Sequence, residues 1–190
     1  MLLLTLGVAL WWVAHLQKRL RPALRRDLEK ALGEGPSKGV ISLVIGISLA
    51  LMIIGYRSAE FVPVYTPLAG IGHLNNLLML VAIFLMGVGP AGGVLSAKIR
   101  HPMLIGGFLW GVSHLLVNGD LASIILFGGI AAWVPLQIRV INASEGPWER
   151  PMPGNALQDG KLALLTLFLF VVIAGVHWLF GMNVFQGTFG

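Results

Sequence analysis

Gly107, Gly111, His114 and Asn118 recur at spacings of four, three and four inside an otherwise apolar stretch, residues 100–129 (RHPMLIGGFLWGVSHLLVNGDLASIILFGG), so a helix presents them on one face. An imidazole at membrane depth is costly unless it meets a partner, a ligand or water, which makes His114 a functional candidate. Small residues next to a histidine leave room for a flat ligand, or else for the close approach of a second helix. Trp110, four residues before His114, reads as a packing residue. The chain has no cysteine, so a disulfide, a thiolate metal site and a covalent c-type haem are excluded; any haem is held without a covalent link by nitrogen or another non-cysteine ligand.

The other histidines have weaker surroundings. His15 follows Trp11 and Trp12 near the end of the first apolar run, and His101 precedes Pro102 at the start of the fourth, where a capping or interfacial role competes with chemistry. His73 and His177 fall toward the ends of the third and sixth runs, and the His177–Trp178 pair fits an interfacial belt.

These residues need elements to hold them. With 190 residues, 56% hydrophobic, 11% charged and a mean hydropathy of +0.84, the chain is too apolar to coat a soluble globule. An all-α integral membrane bundle follows, one domain over residues 1–190. Its six apolar helices are expected at about 2–16, 39–56, 73–90, 103–117, 121–140 and 161–182, the first and fourth short for ~30 Å of hydrocarbon. Pro90 among glycines ends or kinks the third. Asn118-Gly119-Asp120 makes a tight turn in which Asp120 caps the next helix. The first run has no basic flank before it and is expected to be a retained helix, not a signal peptide.

The net charge of +5 does not indicate nucleic acid, because the basic residues cluster beside apolar runs as topology signals do. Of the thirteen Lys and Arg residues, all but Arg57 fall in connections on one side, which is therefore cytoplasmic; both termini are expected on the periplasmic side. Leu16, Leu20, Leu24, Leu28 and Leu32 recur every fourth residue, so after Pro22 a short amphipathic helix is expected on the inner headgroups, with Arg25, Arg26 and Lys30 off the leucine face. Residues 142–160 are expected to be irregular.

The order of a histidine late in helix one, a basic segment with spaced leucines, then RHPML, WGVSHLL and NGDLASIILFG resembles the bacterial NnrU proteins over most of the chain. NnrU proteins are associated with nitrite and nitric oxide metabolism in denitrifying bacteria, and the same domain occurs in plant 15-cis-zeta-carotene isomerase, a b-type haem protein. The resemblance implies an inner-membrane protein in contact with lipid that binds haem b non-covalently. It implies His114 and His15 as iron ligands, His101 as a further candidate, and Gly107, Gly111 and Asn118 beside the cofactor. Nitric oxide or a polyene is the implied ligand, and denitrification membrane proteins are the implied partners.

The expected topology sets His15 about 20 Å below the outer end of helix one but His114 about 6 Å below that of helix four, at ~1.5 Å per residue. By depth alone, His114 matches His73 or His177 better, and His15 matches His101. A rival reading comes from Arg100-His101-Pro102 with Gly106, a pattern similar to that of isoprenylcysteine and phospholipid methyltransferases, in which Glu145 or Glu149 would complete an S-adenosylmethionine pocket. Ile105 stands where those enzymes carry an aromatic residue.

Overall fold

The computed structural model describes residues 1–185. The C-terminal end, expected on the same side as the N-terminus, lies outside them. Seven helices follow in order: α1 (Leu2–Leu20), α2 (Pro22–Leu32), α3 (Glu34–Arg57), α4 (Ile71–Ala91), α5 (Pro102–Val117), α6 (Leu121–Glu145) and α7 (Ala156–Leu179). All six apolar runs are helical, and the amphipathic helix after Pro22 is present. Four helices, α3, α4, α6 and α7, are long and apolar enough to cross a membrane. The expectation of six spans is met in part, because α5 has 16 residues, about 24 Å at ~1.5 Å per residue, and α1 ends in polar Gln17, Lys18 and Arg19.

The boundaries differ from expectation where charge sits on a helix. α1 continues to Leu20 and α3 begins at Glu34, so the basic connection is helical apart from Arg21 and Gly33. Pro36 is tolerated because it lies in the first turn of α3, where backbone N–H groups have no helical partner. α6 reaches Glu145 and α7 begins at Ala156, which confines the expected irregular segment to residues 146–155. α4 ends at Ala91, just after Pro90, with Gly92 in the left-handed region at φ 62°.

Successive apolar helices alternate in direction. α1 packs against α3 with Gly7 opposite Ser48 and Met52 and with Gly55 against the backbone of Leu4, so the two backbones approach where side chains are missing. α4 packs chiefly on α5, where Gly106 faces the carbonyl of Ala82, and α7 lies along α4. α6 joins the two groups, touching α1 on one side and α5 on the other. α2 has no buried residue: Leu24 is 55% and Leu32 47% exposed, and Leu28 is half-buried.

The NGD turn between α5 and α6 is held by the α3–α4 connection. Gly119 O accepts from Val64 N at 2.8 Å and Tyr65 N at 3.0 Å, and Leu121 N donates to Val62 O at 2.8 Å. A Cβ on Gly119 would fall on the Tyr65 carbonyl, which explains the glycine. The Tyr65 hydroxyl donates to the carbonyls of Leu115 and Asn118. Burial, and after it the Asp120 carboxylate, push the Tyr65 phenol above its ordinary pKa. Asp120 caps α6 as the sequence predicts, accepting from Ser123 N at 3.0 Å and from Ser123 Oγ at 2.5 Å.

Candidate functional site: two cavities on either side of Trp110

His114 is oriented by its own helix. Its Nδ1 lies 2.8 Å from the carbonyl of Trp110. A carbonyl only accepts, so Nδ1 carries the proton and Nε2 of the neutral ring keeps a free lone pair. The ring stacks on Phe127 with centroids 4.5 Å apart and planes 22° from parallel, and Trp110 stands 5.0 Å away. Phe127 belongs to a π turn, Ile124–Gly128, directly after the Asp120 cap. Such a turn inserts an extra residue and often marks functional sites. Here it sets the Phe127 carbonyl 2.7 Å from where a Gly111 Cβ would be.

On its open side His114 lines a cavity of about 270 Å³ with His177, Asn75 and Asn76. His177 repeats the arrangement, with Nδ1 2.8 Å from the carbonyl of Ile173. Asn75 is 6% exposed and its Oδ1 has no hydrogen-bond partner among the described residues. The depth match of His114 with His177 is thus realised as a shared cavity. His73 is exposed and lines neither cavity.

His15 lines a different, larger cavity of about 840 Å³. Its Nδ1 is 2.8 Å from the carbonyl of Trp11, again leaving Nε2 bare. Trp11 lies over the imidazole with centroids 4.1 Å apart, and Trp133 meets it edge-on at 5.1 Å and 70°. The indole N–H groups of Trp11 and Trp133 are buried without a hydrogen-bond partner among the described residues. Across the cavity, α3 supplies Met52, Tyr56 and Arg57, and α5 supplies Leu104 and Gly107. Tyr56 is braced from behind: its hydroxyl is 2.9 Å from Ser123 Oγ, and since Ser123 donates to Asp120, Tyr56 donates to Ser123.

The two glycines on the His114 face therefore do different things. Gly107 opens on the larger cavity, with nothing nearer its missing Cβ than Val134 Cγ2 at 3.9 Å, whereas Gly111 is a packing contact. Asn118 ends α5, its Nδ2 donating to the His114 carbonyl at 2.8 Å, and it lines neither cavity.

His15 and His114 are not brought into one cavity. Their aromatic partners on α6, Trp133 and Phe127, are six residues apart, an axial offset of about 9 Å at ~1.5 Å per residue. Trp110 and Met86 wall both cavities and stand between them.

His101 belongs to a polar latch at the far end. Its Nε2 is 2.8 Å from Asn142 Oδ1, Arg100 donates to Gly146 O at 2.9 Å, and Glu145 pairs with both Arg19 and Arg100. The depth match of His15 with His101 is not realised as a shared cavity. The latch also engages the rival methyltransferase pattern: Glu145 is tied to two arginines, and a Cβ on Gly106 would fall 2.7 Å from the Ala82 carbonyl oxygen, so Gly106 packs against α4 and lines neither cavity.

Sequence reasoning missed Asn75 and Asn76, although two amides within HLNNLLML were a visible signal. It also missed Phe127 and Trp133, which look like ordinary core residues, and it treated Arg57 only as a count in the charge bias.

No curated protein and no solved structure matches the chain. The family model described as NnrU protein matches residues 3–184. With a match running over nearly its whole length, this membrane-helical chain belongs to the NnrU family.

Proposed function

We propose that this protein is a polytopic membrane haem b protein of the bacterial inner membrane, serving nitrite or nitric oxide metabolism. The observation that carries the haem reading is the His15 cavity. Its volume of about 840 Å³ falls in the roughly 300–1,000 Å³ range of cofactor sites. It is walled by aromatic and aliphatic side chains and contains an imidazole whose Nε2 is unpaired. Gly107 leaves one wall flat, and two buried indole N–H groups lack acceptors among the described residues, at a cost of about 1–3 kcal/mol each. The His114 cavity, about 270 Å³, is below that range.

These residues fit a porphyrin in the larger cavity with His15 as the iron ligand. His114 serves as the second ligand only if Trp110 and Met86 give way. The hydrogen bond from Nδ1 to the Trp11 carbonyl fixes the tautomer that ligates and raises its basicity. Trp11 and Trp133 exclude water from the ring, and the absence of cysteine leaves haem exchangeable. Haem bound there supplies an iron that changes oxidation state and takes small ligands such as nitric oxide. The link to nitrogen oxides rests on the resemblance to NnrU proteins, and denitrification membrane proteins are the partners it suggests. A second reading, cis-trans isomerisation of a polyene, is favoured by the exposure to lipid of several residues lining the same cavity.

Protein purified from haem-replete cells should show a b-type Soret band and release all its haem into acid acetone. Colourless protein that stays uncoloured after incubation with haemin overturns the proposal. Reporter fusions should place Lys38 in the cytoplasm and the chain ends in the periplasm. Both fusions reporting the cytoplasm would overturn the topology.

A further inference from the structure

We infer that Arg57 is the recognition group for an acid on an otherwise apolar ligand: the larger cavity takes an amphiphilic carboxylate that enters sideways from the bilayer, its acid end held at the outer rim. Four observations converge on this. Among the described residues Arg57 is the one Lys or Arg that lines either cavity, and in the sequence it is the one that departs from the cytoplasmic charge bias. Its guanidinium is positioned by the Phe180 ring, 5.2 Å from the centroid, and among the described residues no carboxylate pairs with it. Its place in the last turn of α3 suits the helix dipole, but any basic residue on that turn satisfies the dipole without facing a cavity.

The third observation is the mouth. Ile53 and Phe180 line the cavity beside Arg57 and are also 52% and 61% exposed, in a chain whose surroundings at that level are lipid. α3 makes its extensive contacts with α1 and α2, so Arg57 and Phe180 meet across a gap between α3 and α7. The fourth is complementarity along the cavity. It runs from a cation at the rim, past methionine and aliphatic walls, to His15 and two indoles, which suits a long or flat apolar body with an anionic head. Arg57 is exposed at the rim, and there its guanidinium can recognise a carboxylate by paired charge-assisted hydrogen bonds.

The inference rests on the larger cavity being the ligand site, but not on iron, so its test uses metal-free probes. Full-length protein in neutral-lipid nanodiscs is titrated with protoporphyrin IX and its dimethyl ester, and in parallel with cis-parinaric acid and its methyl ester, all followed by fluorescence. The free acids should bind about twofold to fivefold more tightly than the esters. Arg57→Gln should erase that preference while leaving ester binding, which reports an intact cavity, unchanged. If R57Q loses ester binding as well, R57K, which keeps the charge, must retain the acid preference. Acid and ester binding wild type equally, an acid preference that survives R57Q, or no binding of any probe overturns the inference. A preference for acids in protein that never binds haemin leaves the inference standing while the haem reading falls. Equal binding of acid and ester, together with loss of co-purified anionic phospholipid from R57Q, makes Arg57 a lipid anchor and overturns it.

Discussion

Gly107 and Gly111 sit four residues apart on one face of α5, and adding the same methyl group to each should have opposite consequences. At Gly111 the new Cβ would lie 2.7 Å from the Phe127 carbonyl oxygen and 3.1 Å from Ala131 Cβ. The obstructing atom is backbone, in the π turn, and cannot rotate aside. Overpacking of this kind costs about 1–3 kcal/mol. At about 2–4 °C per kcal/mol for a chain of this size, Gly111→Ala should lower the midpoint of thermal unfolding by about 2–12 °C. At Gly107 the nearest atom is 3.9 Å away, an ordinary contact, and alanine favours a helix over glycine by about 0.5–1 kcal/mol. Gly107→Ala should therefore leave the midpoint unchanged or slightly raised. The assay is fluorescence-detected thermal unfolding in mild detergent at matched protein and detergent concentrations. G107A destabilising as much as G111A would refute the assignment of one glycine to a cavity and the other to a seam.

Gly107→Phe should fill the larger cavity and block haemin uptake without loss of folded yield, checked by a haemin titration on monodisperse protein. Ser123→Ala removes the acceptor of the buried Tyr56 hydroxyl and a bond to the α6 cap, and should cost about 1–3 kcal/mol by the same thermal assay. His101→Ala should lose only its bond to Asn142, costing about 0.5–1.5 kcal/mol, and should bind haemin as wild type does.

The apolar runs, the Asp120 cap and the amphipathic α2 were legible because each follows from local pattern: hydropathy, a capping residue before a helix, leucines at fourfold spacing. The common face of Gly107, Gly111, His114 and Asn118 was legible too, but its division among cavity, seam, stacked imidazole and helix end was not. That division depends on the π turn in α6. An extra residue in one turn of IILFGG leaves no mark on hydropathy, because the residues on both sides of it are apolar. The pairing of His15 with Trp133 was invisible for a related reason, since it joins helices more than a hundred residues apart. Arg57 was visible only as a charge; its relation to Phe180 needs the end of α7 to fold back beside α3.

Haem content per protein, by pyridine haemochrome on wild type, His15→Ala and His114→Ala at matched expression, tests the central claim most directly. Wild type should carry haem, His15→Ala should lose most of it, and His114→Ala should keep it with an altered spectrum. Full haem occupancy and an unchanged spectrum in His15→Ala would contradict the assignment of the larger cavity as the haem site.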